Sequence, residues 1–415
     1  MNPFRKELSK TEEFAREETK DLLGILKRII RRDFSGNEGQ AIKNSAYTLS
    51  SVLVAKIGSL FFTIILARML LPELYGLYGL ALYTIVLFGA FSDLGISTAL
   101  ITFMSRSFGE GKLKKAKGYY LYLLKYKLIL VSIVSLILIS SGYYLANFYY
   151  RKPIFYALLA GSPYIFFMSI SGFFGGVFLA KNNFKKPFIK EVIFQLIRLT
   201  LVPLSILIFI GKISNEYLLS IIFLMLSFGF FISGFYLYFY LKKHRFFRLP
   251  PEKLSDNEKK KLKGFILPLS ITALSGMFFG SIDMIMLGHF VESKFIGYYQ
   301  AAFNLIGSAG ALVGFSGSAL FPILARLKKK RLEKGFKKSV RITFLIAFFG
   351  ALFTFLFGRT IIQIVYGKAY LPSTLILQLF SLLIISAPVS GLYGTYYISQ
   401  QHTKKYSILV ILSTI

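Results

Sequence analysis

The sequence predicts an all-α integral membrane protein: two parallel six-helix repeats about a central cavity, with the second repeat truncated. Three observations predict it. Of 415 residues, 55% are hydrophobic and only 17% charged, whereas a water-soluble chain carries about a quarter charged residues. The apolar residues fall in runs of roughly 20, the length that crosses about 30 Å of hydrocarbon at about 1.5 Å per residue. Finally, the polar stretches between those runs alternate between strongly basic and nearly uncharged.

The charge balance is 50 Lys+Arg against 19 Asp+Glu, a formal net charge of +31. In a soluble chain this would suggest nucleic acid. Here the basic residues cluster between apolar spans, where the positive-inside rule expects them, so no nucleic-acid partner is expected. With no cysteine and three histidines, disulfides, thiol chemistry and a Cys/His metal site are excluded, and no cofactor is expected. The absence of tryptophan leaves the interfacial aromatic role to the 26 tyrosines.

Residues 1–44 are polar and read as a cytoplasmic segment with no cleavable signal peptide before the first span. Within them Asp21 to Phe34 is predicted as an amphipathic helix. Leu22, Leu23, Ile25, Leu26, Ile29 and Ile30 fall on one arc, and Lys27, Arg28, Arg31 and Arg32 fall opposite. It is read as lying on the cytoplasmic membrane surface; packing on another protein is the alternative. Ten complete spans follow, at 46–68, 76–103, 127–148, 154–180, 188–210, 216–241, 264–288, 296–322, 339–358 and 372–398. These divide the chain into an N-terminal lobe of six spans (45–241), a basic cytoplasmic linker (242–263) and a C-terminal lobe (264–415). The C-terminal lobe holds four complete spans and part of a fifth, starting near 406.

Alternate connections are basic: 104–120, 181–190, 242–263, 323–341 and 400–405. Placing these and the N-terminus inside puts roughly 39 Lys/Arg in the cytoplasm and about 7 outside, with no violation of the alternation.

An internal repeat is visible at an offset of about 220 residues. PELYGLYGLAL (72–82) sets against SKFIGYYQAAF (293–303), aligning Gly76 with Gly297, Tyr78 with Tyr299 and Ala81 with Ala302; farther on, Gly89 meets Gly310 and Ser97 meets Ser318. GGVFLAKNNFKKPFI (175–189) sets against GTYYISQQHTKKYSI (394–408). The matches join spans of the same orientation, so the halves are parallel repeats. By this offset the second half lacks the rest of its fifth span and all of its sixth. A helix ending mid-membrane at Ile415 has no physical rationale, so further apolar sequence to about residue 460 is expected.

A charge at bilayer depth costs about 2.5–3.5 kcal/mol even on insertion scales, so buried ionisable groups are the candidate site residues. Lys56 sits near the middle of the first span with Asn44, Ser45, Thr48, Ser51, Ser59 and Thr63 on its side. Arg198 sits near the middle of the fifth, with Glu191, Gln195 and Ser205 close around the helix. Asp93 shares a face with Gly79, Gly89 and Ser97, and Asp283 with Thr272, Ser275 and Gly276. Gln300, Asn304, Ser308 and Ser318 form a polar stripe in the eighth span. Five helices with one polar side each argue for a central hydrophilic cavity. The competing reading is a set of buried structural pairs, Glu191 with Arg198 or Asp93 with Lys56. The GxxxG spacings Gly172/Gly176, Gly276/Gly280 and Gly310/Gly314 read as close helix packing. Pro163, Pro203, Pro268 and Pro388 are hinges or tolerated kinks. No phosphate-binding loop, catalytic carboxylate pair or His cluster is present, so the chain is not expected to be an enzyme.

Several stretches together carry a family resemblance. They are ILARMLLPELYGLYGLAL (65–82) leading to FSDLGISTALITFMSR (91–106), GGVFLAKNNFKK (175–186), IDMIMLGHFVESKFIGYYQAAFNL (282–305) and IVYGKAYLPSTLILQLFSLLI (364–384). In this order the chain resembles the polysaccharide (O-antigen type) flippases of the multidrug/oligosaccharidyl-lipid/polysaccharide exporter superfamily. The resemblance implies a MATE-like arrangement of two six-helix lobes, usually followed by two further helices, rocking about a central cavity in the cell membrane. It also implies a polyprenyl-linked oligosaccharide substrate turned from the cytoplasmic to the outer leaflet, with membrane lipids and glycan-assembly proteins as partners. On that reading Lys56 and Arg198 are the candidates for the lipid-linked phosphate, and Gln195, Gln300 and Asn304 line the cavity. A cation-coupled drug exporter is the alternative, using H+ or Na+ at Asp93, Glu191 or Asp283. A membrane glycan polymerase or ligase is disfavoured by outer loops of about 15 residues or fewer.

The topology is tested by single cysteines in this cysteine-free chain. Ser214→Cys should label with an impermeant thiol reagent from outside intact cells and Ser255→Cys should not; the opposite pattern reverses the orientation.

Overall fold

The computed structural model describes residues 36–399 apart from 244, 327 and 328. The amphipathic helix read at 21–34, the span starting near 406 and the repeat match at 404–408 lie outside the described residues. Among the described residues the fold is entirely helical. The helices are α1 (Gly36–Ala90), α2 (Ile96–Gly109), α3 (Leu113–Tyr144), α4 (Phe155–Ala180), α5 (Lys185–Phe209), α6 (Asn215–Lys243), α7 (Asp256–Phe279), α8 (Ile282–Phe290), α9 (Ser293–Arg326), α10 (Lys329–Val365) and α11 (Ser373–Ser399). Among the described residues seven stretches are long and apolar enough to cross a membrane. The first, Ile42–Ala90, holds the expected span 46–68 and the first part of 76–103, which the turn at 91–95 interrupts.

Local chemistry explains where the helices break. Inside α1, Leu71 turns to φ 59° and ψ 170° just before Pro72. Proline lacks the N–H that would continue the helical ladder and pushes its predecessor to extended ψ, so two spans meet at one sharp turn. Between α1 and α2 the chain passes through Leu94 and Gly95, both with positive φ. Glycine suits that position twice over, because a Cβ on Gly95 would also lie 2.8 Å from Leu269 Cβ. Helix α7 opens on a reciprocal cap: the Ser255 N–H donates to Glu258 Oε2 at 2.9 Å, and the Glu258 N–H donates to Ser255 Oγ at 3.3 Å. Lys115, hydrogen-bonded to Glu258, holds that carboxyl below its usual range, with Ser255 adding to the effect. Pro163, Pro203, Pro268 and Pro388 all lie inside continuous helices.

Gly58 meets Gln195 and Phe62 meets Arg198, so the first part of α1 runs parallel to α5. Ile85 meets Gly161, Ser92 bonds Ser169, and Leu100 meets Gly176, so the second part of α1, with α2, runs parallel to α4. In the second half α11 packs against both α9 and α10. Large apolar side chains cover the outside, with Leu136, Leu207 and Leu382 at 64%, 67% and 66% exposed. That is the surface a bilayer, not water, solvates.

The two halves close on each other at the sparsely charged end. A Cβ on Gly76 would lie 1.9 Å from the Ser293 carbonyl oxygen, and a Cβ on Gly297 would lie 1.9 Å from the Pro72 carbonyl oxygen. The contact is reciprocal and joins the positions aligned by the repeat. Helix ends add to it. Arg68 donates through Nε to the Val365 carbonyl at 2.8 Å and through Nη2 to that of Ile364, covering the open carbonyls at the end of α10. His289, at the same offset of about 220 residues from Arg68, hydrogen-bonds the Tyr149 carbonyl through Nδ1 at 2.7 Å, where the first half's third span ends. Tyr370 donates to the Ala67 carbonyl at 2.9 Å and Lys152 to that of Gly288 at 2.6 Å. By contrast, only Gly176 of the Gly172/Gly176 pair touches another helix, since Gly172 faces open space. The surroundings of Gly276, Gly310 and Gly314 lie outside the described residues.

The crossing yields a stability prediction. Gly76→Ala and Gly297→Ala should each lower the stability of the purified protein by about 1–3 kcal/mol through overpacking. The double variant should lose less than the sum, because both methyls act on one approach. Gly172→Ala, with no neighbour within 4 Å, is the control; a thermal melt of Gly76→Ala matching that of the control would contradict this account.

Candidate functional site

The predicted site residues fall into three groups. The first lies between α5 and the first part of α1. Gln195 donates from Nε2 to Glu191 Oε1 at 2.7 Å, and Lys190 reaches Glu191 Oε2 at 3.3 Å. Gln195 itself lies across Gly58. Glu191 is therefore paired with Lys190 and Gln195; the pairing with Arg198 allowed by their two-turn spacing is not the one formed. One turn on, the Arg198 guanidinium stacks on Phe62 with its carbon 4.4 Å from the ring centroid, and 5.5 Å from that of Phe194. Tyr78 and Tyr164 lie within electrostatic reach. Its Nε and Nη2 are buried and have no acceptor among the described residues. Such groups cost about 1–3 kcal/mol each when left unsatisfied, more when charged.

Lys56 stands elsewhere. At about 100° per residue it lies about 160° around α1 from Gly58 and about 120° from Phe62. The residues that meet α5 are thus on one face and Lys56 is on another, exposed one. Nor do the two cations share a depth: Phe62 meets Arg198, and Lys56 lies six residues, about 9 Å along α1, before Phe62.

The second group lies where α9 crosses α1. Gln300 lies over Gly79, with its Oε1 buried and without a donor among the described residues, and Asn304 donates to the Tyr75 hydroxyl at 2.9 Å. Asp283, in the first turn of α8, accepts from the Tyr299 hydroxyl through Oδ2, while its Oδ1 is buried without a donor among the described residues. The helix N-terminus favours a negative charge there. The side chains of Thr272, Ser275 and Ser318 lie outside the described residues. An aromatic column links the two groups: Tyr75 on Tyr78, Tyr78 on Phe223, Phe223 edge-on to Tyr164, Tyr164 to Phe230, and Phe230 stacked at 4.0 Å on Phe194 beside Arg198.

The third group corrects an expected pairing. Asp93, in the turn between α1 and α2, binds Lys127 Nζ at 2.5 Å and Ser97 Oγ at 2.5 Å. Lys127 is almost wholly buried, at 1% exposed. Asp93 is thus neutralised by α3 and not by Lys56. Lys127 was legible only as a residue at a span edge, because the sequence does not show which neighbouring helix an acid faces. Tyr78 was visible only as a letter aligned with Tyr299 in the repeat, and Tyr164 carried no sequence signal, since aromatic residues pervade every span.

Helices interrupted at Asp93 and just before Asp283, buried polar groups without partners among the described residues, and two halves related by a repeat define a multi-pass membrane protein of transporter fold. Solved structures agree. A multidrug resistance MATE family transporter of the MOP superfamily, in its inward-facing conformation, is similar with a TM-score of 0.63 at 15% identity, covering 87% of this chain and 84% of that one. The lipid II flippase MurJ, in an inward closed conformation, is similar with a TM-score of 0.65 at 15% identity, covering 88% and 77%. An outward-facing MATE family transporter gives 0.57 at 16% identity, covering 92% and 86%. The chain belongs to the polysaccharide biosynthesis protein family, whose profile matches residues 41–328. No curated protein matches it by sequence.

The Asp93–Lys127 pair is testable. Asp93→Asn should destabilise the protein by about 2 kcal/mol, below the ~3–5 kcal/mol of a fully buried pair because the Asp93 side chain keeps 38% exposure. Asp93→Asn with Lys127→Met should recover most of the loss in a thermal melt. A double variant no more stable than the single one would show that the ion pair is not what Lys127 requires.

Proposed function

We propose that the chain is a flippase that turns a polyprenyl-linked oligosaccharide from the cytoplasmic to the outer leaflet, with Arg198 meeting the lipid-linked phosphate. One observation carries the reading: a guanidinium at mid-depth, desolvated among Phe62, Phe194, Tyr78 and Tyr164, with two N–H-bearing nitrogens that have no acceptor among the described residues. A phosphate supplies acceptor oxygens of the required charge. Family membership supplies the glycan, and closure at the sparsely charged end suits a carrier that loads from the basic side. Lys56, on the exposed face of α1 and about 9 Å nearer its start than the level of Arg198, makes first contact with the headgroup. Gln195, Gln300 and Asn304 are polar neighbours along its path. The prenyl tail stays in lipid beside the protein, and sugar hydroxyls meet tyrosine and amide groups.

In cells that depend on this protein for surface glycan, Arg198→Ala should lower export at least about tenfold, the loss expected for a charge-assisted hydrogen bond, at unchanged membrane level. Arg198→Lys should keep part of it, since charge matters more than fork geometry for a mobile phosphate. Lys56→Ala should act in the same direction. Arg198→Met, which keeps the apolar contact with Phe62, exporting at the wild-type rate would overturn the phosphate role.

Asp283 favours a second reading, cation-coupled export in the manner of a drug transporter, because its Oδ1 is buried with no donor among the described residues. Drug efflux driven by H+ or Na+, lost in Asp283→Asn while surface glycan persists, would select it.

A further inference from the structure

A groove of about 560 Å³ runs along the outside of the bundle at its basic end. One wall is α3, with Tyr122, Tyr126 and Leu130; the other is the start of α7, with Lys260, Lys263, Leu267 and Ser270. The floor is Leu94 and Ile96, at the turn between α1 and α2. On each wall the residues recur every three or four positions, so each helix offers one continuous stripe.

We infer that this groove is a binding site for an anionic glycerophospholipid of the surrounding bilayer, with its phosphate at Lys260 and Lys263 and one acyl chain along the groove.

Charge is the first argument. Lys259 pairs with Asp256, and Glu258 is taken by Lys115. Lys260 and Lys263 are exposed and have no acidic partner among the described residues. Juxtamembrane lysines of this kind attract anionic headgroups. Length is the second argument. From Lys260 to Ser270 is about 15 Å along the helix, half the ~30 Å of hydrocarbon, so the groove matches the chain of one leaflet. Tyr122 and Tyr126, whose hydroxyls lie 3.4 Å apart, stand where the interface expects amphipathic rings.

The floor gives the site a consequence. Ser270 Oγ donates to the Leu94 carbonyl at 2.8 Å, and Leu269 seats against Gly95. The groove therefore lies over the seam between a first-half turn and a second-half helix. A lipid that bridges α3 and α7 stabilises the arrangement in which that seam is closed.

The test is the thermal stability of the purified full chain in neutral detergent, with phosphatidylglycerol or phosphatidylcholine added. Phosphatidylglycerol should raise the melting temperature by about 2–5 °C over phosphatidylcholine. Lys260→Gln with Lys263→Gln should abolish that increment, and Lys242→Gln with Lys243→Gln, the same loss of charge outside the groove, should keep it. Gly264→Leu should also reduce the increment: Gly264 lines the groove with nothing within 4 Å of a Cβ, so the new side chain fills the cavity and leaves both lysines in place. Equal stabilisation by the two lipids, or an increment unchanged in the Lys260/Lys263 variant, overturns the site. Stabilisation by a polyprenyl phosphate and not by phosphatidylglycerol overturns the choice of occupant and assigns the groove to a prenyl carrier.

Discussion

Two helices approach until the carbonyl of one lies where the Cβ of the other would be, and the architecture at the sparsely charged end follows from that approach. Pro72 and Ser293 present the carbonyls; Gly76 and Gly297 leave the space. In lipid the hydrophobic effect does not press helices together, so backbone proximity and polar contacts must do so. The close crossing brings Gln300 over Gly79 and Asn304 to the Tyr75 hydroxyl. It also brings the last carbonyls of α10 within reach of Arg68, and that of Gly288 within reach of Lys152. First-half side chains thus complete helix ends of the second half, and Tyr370 and His289 return contacts to the Ala67 and Tyr149 carbonyls of the first.

Away from the crossing, the bundle treats its buried charges unequally. Lys127 is matched by Asp93, and Glu191 by Lys190 and Gln195. Arg198 is held by rings instead, which offset part of its desolvation through their negative faces but accept few hydrogen bonds. A cation stabilised by aromatic faces keeps its donors available, whereas one locked to a carboxylate does not. This difference, more than depth alone, separates Arg198 from the other ionisable groups in the first half.

Much of the fold was legible because lipid imposes a simple rule on sequence. Apolar runs, basic connections and a repeat follow from hydrocarbon thickness, surface charge and duplication, all of which act along the chain. Side-chain partners act around the helix and across it, and there the sequence carried less. The sequence placed Lys56 and Arg198 near the middle of their spans but not on particular walls, and it left Lys56 open as a partner for Asp93 when Lys127 is its partner. The glycines show the same division. Gly76 and Gly297 were visible as aligned letters, yet nothing in the letters said that they touch, and the GxxxG spacing at Gly172 marked a position with no neighbour.

The crossing is also isologous in form. Each half presents the same short patch, a carbonyl four residues before a glycine, and each patch is complementary to its own copy. A surface of that kind needs no second, differently shaped partner: it would join two separate six-helix chains about a two-fold axis as readily as it joins the halves of one. Covalent linkage then changes its chemistry little but frees its symmetry, since the two sides no longer have to be identical. The pair Arg68 and His289 shows that freedom already used, with a permanent cation on one side of the axis and an imidazole on the other.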